Sequence, residues 1–512
     1  MQRRLSGLML CLALSLASCD RAATKAPVAA ADSIGWRHGD VDDAFAEAKE
    51  SGKPVLLYWG AKWCPPCNAM KTTLFVDPAF IARTKAFVPV YLDGDSAGAQ
   101  HWGEIFTITG YPTVIILRPD RSEITRLSNG AAPAGLADAL RVSASRSTSS
   151  DQLLKTALEA PQSLSPDDWT LLASYEWLND PKHFSEPGKA AAPLARLVGA
   201  APDPALKRHF ALLALSNKAL ASGGEKLVLS PADQQRVADL LPAILASQAE
   251  VKANAQMLSF AAPQLLLALP DTAQRRTLGG QLIAALDRVY ADPSLPINVR
   301  LATTSADIAL GKGPGGQVAP AVLAKVRQRA AWADGAARGP MARQAAIPDA
   351  AELLDEAGDT QGAMRLATAE LPRASSPAYY MTDLSGFAEK LKDKRAAIDW
   401  ARRAYDTSQG PATRVQWAAL YADTVLRLAP TDKAEVERSA TAVIDALGAS
   451  QGDYFQRTRM KVTTWSKEMQ AWSKAQGGGA VVARLSARMA GVCAKQASAQ
   501  AQASCKGWMT IA

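Results

Sequence analysis

The sequence predicts an α/β layer fold over residues 36–142, followed by an all-α region over residues 151–512 arranged as a helix-pair solenoid. Three observations lead there. Short apolar runs alternate with helix-spaced segments as far as Val142, the order of an α/β domain. Beyond Ser150 strand signals nearly vanish, and Ala and Leu dominate long helical stretches broken by Pro and Gly. Residues 351–371 align with residues 385–405 at an offset of 34, so helices are expected in pairs.

Each element has its own signal. In residues 42–51, Ala44, Phe45 and Ala48 share a helical face, and Gly52 ends the run. Residues 55–59 form an apolar run of buried-strand length. Residues 64–75 begin with Cys-Pro-Pro-Cys and set Met70 and Leu74 four apart, as a helix requires. Strands are expected at 86–92 and 114–117. Pro119-Asp120 turns the chain into a fourth strand at 123–127, and residues 135–142 close with a helix. Residues 143–150, rich in Ser, read as a linker. In the repeat, Asp359 falls on Asp393, Ala363 on Ala397, Met364 on Ile398 and Ala367 on Ala401. Small residues between two helices at this period resemble a tetratricopeptide repeat.

Composition narrows the function classes. The chain has 512 residues, 48% hydrophobic and 21% charged, enough to bury cores along most of its length. The net charge of +8 is spread without any run of five basic residues, so no nucleic-acid stripe is present. The four histidines are scattered without metal-ligand spacing. No metal and no cofactor is expected.

Residues 1–18 read as a signal peptide. Arg3 and Arg4 precede an apolar run at 5–17 that is too short to span a bilayer. The run ends in Leu-Ala-Ser-Cys19, which resembles the lipobox of bacterial lipoproteins. That resemblance implies cleavage before Cys19 and lipidation of its sulfur. Asp20 resembles an inner-membrane retention signal. Residues 19–35, rich in Ala and Pro, read as a tether. With Cys11 removed and Cys19 lipidated, the six cysteines leave Cys64, Cys67, Cys493 and Cys505, an even number suited to an oxidising compartment. Cys493 and Cys505 form a disulfide only if the helix-prone stretch around them breaks. One straight helix would set them about 18 Å apart.

The chemical motif is Trp63-Cys64-Pro65-Pro66-Cys67, placed after a strand and at the start of a helix. Free N–H groups and the helix dipole there favour a thiolate at Cys64. Cys67, one turn on, can resolve a mixed disulfide. A zinc site would need two more ligands at short spacing, and none is near. Gly110-Tyr111-Pro112-Thr113 follows, directly before a strand.

These two motifs together resemble the thioredoxin superfamily. The closer resemblance is to the domain that ends transmembrane thiol-reductant transporters of the DsbD type. Lys53-Pro54-Val55, Trp63-Cys64, Cys67, Phe75, Asp77-Pro78 and Tyr111-Pro112-Thr113 carry it. The resemblance implies a thioredoxin fold, a cis Pro112 facing the dithiol, and substrate contacts at Trp63, Tyr111 and Pro112. It covers about 110 residues and does not speak for those after 150. The buried aspartate of thioredoxins is replaced by Tyr58, and their buried lysine has no counterpart near Val90. Asp93 and Glu104 are either stand-ins or surface carboxylates. Lys62 and Lys71 either stabilise the thiolate or are plain surface charges.

The expected function is a membrane-anchored periplasmic thiol–disulfide oxidoreductase. Cys64 attacks and Cys67 resolves. Substrates would be disulfide-containing or reduced proteins, and a second redox protein would recharge the dithiol. Reductase or isomerase direction is favoured. The helical region holds no second catalytic constellation and is expected to bind partners. The alternative is a helical scaffold or adaptor lipoprotein whose redox domain binds partners without turnover. Cys19→Ala is expected to leave the protein unlipidated and to move it from the membrane to the soluble fraction. Fractionation with mass analysis of the N-terminus checks this; an unmodified N-terminus elsewhere in the wild type would refute it.

Overall fold

Asp40 starts the first helix by accepting the Asp42 N–H, and Gly52 ends it with φ at 70°. This helix, α1 (Val41–Ser51), leads into strand β1 (Val55–Gly60). Helix α2 (Pro65–Thr72) and a 3-10 turn at Leu74–Val76 follow. Asp77 then accepts the Phe80 N–H at 2.7 Å and Pro78 takes the first position of α3 (Pro78–Thr84), which explains the Asp-Pro pair. The domain continues with β2 (Val88–Asp93), α4 (Ala97–Ile105), β3 (Thr113–Leu117), β4 (Glu123–Ser128) and α5 (Pro133–Ser143). The computed structural model describes residues 33–507 apart from 39, 129–132, 147, 179–182, 184–187, 451–455 and 497–498. Cys19, the signal segment and nearly all of the tether lie outside the described residues.

The sheet order is β2-β1-β3-β4, with β1 parallel to β2 and antiparallel to β3. Every residue of β1 is buried, because both faces of the sheet are covered. Val55, Leu57 and Trp59 pack with Phe45 of α1 and Trp102 of α4. Leu56 and Tyr58 face the other way. Their core continues through Leu136 and Leu140 into Leu153, Trp169, Trp177, Leu194 and Phe210 of the helical region. The two regions therefore share one hydrophobic core. The Glu176 N–H also donates to the Arg126 carbonyl at 3.0 Å, which pairs the edge strand β4. Tyr175 donates to Glu123 at 2.8 Å, and Glu123 is in a buried ion pair with Arg126 at 2.9 Å. Residues around the Ser-rich linker are held by packing: Ser149 caps the next helix and Arg146 pairs with Asp168 at 3.2 Å.

From Ser150 to Gly507 the described chain is helical apart from turns and one isolated bridge, and its helices pack chiefly on their neighbours in sequence. None is long and apolar enough to cross a membrane. The 34-residue offset is structural. Asp359 and Asp393 each cap the second helix of a pair, accepting from Gly362 and Ala396. Gly358 and Lys392, the residues before them, both have positive φ. Ala363, Ala367, Ala397 and Ala401 are all fully buried, as close helix approach requires. The pairs are Gly339–Glu356 with Thr360–Glu370, and Pro377–Lys390 with Lys394–Thr407.

Near the C-terminus the chain turns between Gly479–Cys493 and Ala499–Gly507, and Cys493 is bonded to Cys505 with Cα atoms 5.4 Å apart. Both are fully buried in the core of the last helices. Free-thiol counting on unreduced protein should find neither of them. Replacing both by Ser should lower stability by about 2–3 kcal/mol, read as a shift in the unfolding midpoint; an unchanged midpoint would show that the bond constrains nothing.

Candidate active site

Cys64 is the residue at which the loop after β1 becomes α2. It caps the helix: the Cys67 N–H donates to Cys64 Sγ at 3.2 Å, and Pro65 and Pro66 fill the first turn, where a missing N–H costs nothing. A sulfur in this place meets the positive end of the helix, which favours the thiolate. Asn68 fixes the turn by donating to the carbonyls of Lys62 and Cys64 at 2.8 and 2.9 Å. Cys64 and Cys67 are joined by a disulfide, S–S 2.06 Å.

Opposite them, the Tyr111–Pro112 peptide is cis. Trp63, Cys64, Cys67, Ala61 and Tyr111 pack as one cluster, with the Trp63 and Tyr111 rings 6.2 Å apart. Tyr111 lies on the backbone of Gly94, where a Cβ would come within 2.4 Å of its ring. Gln100 donates to the Tyr111 hydroxyl at 3.1 Å. Burial pushes that hydroxyl's pKa up, against the nearby Arg457 guanidinium.

Residues 36–119 match a sequence model of the thioredoxin-like family. This part of the chain is a thioredoxin-like domain. It is similar to the thiol:disulfide interchange protein DsbD 1 of Pseudomonas aeruginosa, 33% identical over 21% of this chain and 19% of that protein. A probable nucleoredoxin 3 of Oryza sativa subsp. japonica is 33% identical over 14% of this chain and 20% of that protein. A solution structure of a thioredoxin from Thermus thermophilus is 27% identical, covering 21% of this chain and 86% of that one, with a TM-score of 0.20. The chain thus spans only about a fifth of the length of these two relatives.

The site of the thioredoxin-like domain departs from the family at Tyr58. Its ring is fully buried among Trp36, Phe75 and Tyr91, at centroid distances of 5.7, 4.9 and 5.4 Å. Burial pushes its pKa far up, and its hydroxyl has no hydrogen-bond partner among the described residues. An aromatic cluster occupies the place of the acid. Glu104 pairs instead with Arg459 at 2.9 Å, and Asp93 accepts the Asp95 N–H at 3.1 Å. Lys71 lies 5.4 Å over the Tyr91 ring, and burial lowers its pKa. Lys62 is exposed.

Sequence reasoning missed the other half of the site, which comes from the helical region. The Gly339–Glu356 helix packs along α2, and Gln344 donates to the Trp63 carbonyl at 3.1 Å. Trp63 donates from its indole to Thr413 Oγ1 at 2.8 Å, on the Pro411–Leu428 helix. Tyr379 stacks on Trp63 at 5.9 Å, and Trp417 meets its edge at 6.0 Å. Asp95 of the thioredoxin-like domain accepts the Thr413 N–H at 2.7 Å, capping that helix. A signal existed. Tyr379 and Thr413 are 34 residues apart, as are Asp349, Asp383 and Trp417 in turn. The first helices of successive pairs present equivalent positions to the redox face.

Asp349 and Asp383 lie near Tyr379, and no ion pair neutralises either of them among the described residues. Burial, then the charge of Glu352, pushes the Asp349 carboxyl up to about 7. Burial, with Glu352 and Asp349, raises Asp383 well above the usual range. The folded chain therefore holds protons that the unfolded chain releases above about pH 4, and stability falls as pH rises through that window toward 7. Asp349→Asn should be near neutral at pH 4 and stabilising at pH 8 by about 1–2 kcal/mol, allowing for partial exposure. Urea midpoints at the two pH values check this; equal effects at both would refute it.

Proposed function

We propose that the chain is a thiol–disulfide oxidoreductase acting through Cys64 and Cys67. The observation that carries this is the Cys64–Cys67 pair at bonding distance, at the N-terminus of α2 in a thioredoxin-like domain, facing a cis Pro112. The Cys64 thiolate attacks one sulfur of a protein disulfide, and the released sulfur leaves as a thiolate that takes a proton. Cys67, deprotonated, then attacks Cys64, and the second substrate sulfur leaves and is protonated. The substrate gains two electrons and two protons, and Cys64–Cys67 becomes the disulfide. A recharging redox protein returns the two electrons. Trp63, Tyr111 and Pro112 form the substrate-facing wall. The lipid on Cys19 would hold the enzyme at the periplasmic side of the inner membrane, and the helical region would govern access by partners.

One observation favours the second reading, an adaptor without turnover: helices of the same chain already occupy the Trp63 face. An insulin-type disulfide reduction assay decides between them. Wild type should reduce insulin, and Cys64→Ser should lose at least about a hundredfold in rate, since the remaining thiol, Cys67, is fully buried and lies inside the helix rather than at its N-terminal cap. Cys67→Ala should accumulate mixed disulfides at Cys64. Equal rates for wild type and Cys64→Ser would leave the adaptor reading standing.

A further inference from the structure

The thioredoxin-like domain is held on its two sides by different chemistry. Its back shares a continuous apolar core with the first helices, through Leu153, Trp169, Trp177 and Phe210. Its front, the dithiol face, meets the far part of the helical array where the Gly339–Glu356 helix packs along α2, and through polar and aromatic contacts at Trp63, Asp95 and Glu104. Between these lie separate cores, one centred on residues such as Leu241 and Leu282, the next on Ile347 and Leu384. The array thus leaves the back of the domain, curves away and returns to its front.

The returning part covers what a macromolecular disulfide must reach. Cys64 is only 2% exposed and Cys67 is fully buried. The Trp63 indole N–H and carbonyl are engaged by Thr413 and Gln344. The Arg457 guanidinium lies 5.7 Å over the Trp63 ring and 4.8 Å over Tyr111, bridging the two walls of the cleft. Arg459 pairs with Glu104 at 2.9 Å beside it. Thiol–disulfide exchange depends on access to the attacking or attacked sulfur. In this form neither sulfur is exposed enough to meet a folded protein.

We propose that the far end of the helical array is a gate over Cys64, and that Thr413, Trp417, Tyr379 and Arg457 are its latch. This rests on the oxidoreductase reading above and adds to it a specificity device: exchange with proteins proceeds only from an open form in which the latch has let go. The shared core behind keeps the domain in place. The front contacts are of the kind that domains of one chain make and break. Each removed contact raises the open fraction, and the rate with a large partner rises in proportion to that fraction.

The test uses the full chain with the Cys64–Cys67 disulfide formed. It compares two reductants, dithiothreitol and a reduced thioredoxin of ordinary size, with the appearance of Cys64 and Cys67 thiols followed by quenched alkylation and mass mapping. In wild type, dithiothreitol should reduce the bond readily and the protein reductant slowly. Thr413→Val with Arg457→Ala should speed the protein reductant about tenfold while changing dithiothreitol by less than about threefold. Arg457→Gln alone, a partly exposed position whose change leaves the helix intact, should move the same ratio in the same direction. A protein-to-dithiothreitol rate ratio equal in wild type and both variants would overturn the gate and leave the oxidoreductase standing. A bond that dithiothreitol cannot reduce in any of them would overturn both.

Discussion

Asp95 caps a helix that begins more than three hundred residues further along the chain, and the closed front of the dithiol site depends on that contact and its neighbours. The Pro411–Leu428 helix has Gly410 at its cap position, with no side chain to satisfy the first N–H groups. Asp95 supplies the missing acceptor to Thr413, and its carboxylate also meets the positive end of the helix dipole. Gly410 is required twice. Its φ is 88°, and a Cβ there would stand 2.4 Å from the Asp95 carboxyl carbon. Thr413 then places its hydroxyl under the Trp63 indole, so one helix start fixes both the interface and the residue before the dithiol.

The aromatic cluster around Tyr58 follows from the same division of labour. A buried acid in that place would need desolvation to be repaid by a partner. Here the sheet face behind the dithiol belongs to a core shared with the helices, and Tyr58 with Trp36, Phe75 and Tyr91 extends it. Across the interface, Asp349 and Asp383 lie near Tyr379, where their charge acts on its hydroxyl and is itself opposed by burial.

The sequence was legible where structure is local. The four strands lie within two residues of where apolar runs place them, and the first and last helices of the domain within two as well. Cys64 and Cys67 stand out because a dithiol at a helix start needs only four consecutive residues. Helices α3 and α4 were not legible: α3 spans only seven residues, and α4 carries Gly98 and Gly103 and little apolar periodicity. The covering half of the site was not legible for a different reason. Trp63 and Thr413 are 350 residues apart, and neither indole nor hydroxyl announces its partner. Only a register argument along the repeat brings such positions together.

That register shows why repeats of this kind hide their functional face. Positions that pack helix against helix must stay small, and so Ala363 and Ala397, and Ala367 and Ala401, survive as the visible repeat. Positions that face the redox domain meet a surface without any 34-residue symmetry. Each must fit a different patch, and the equivalent residues Tyr379 and Thr413 accordingly differ, one a ring stacked on Trp63 and the other a hydroxyl that accepts its indole N–H. The period is kept by the backbone and the packing positions, while the facing positions break it. Where the repeat's packing residues persist and one column of inward positions diverges in character, the divergence itself marks the face that binds something asymmetric, here the chain's own thioredoxin-like domain.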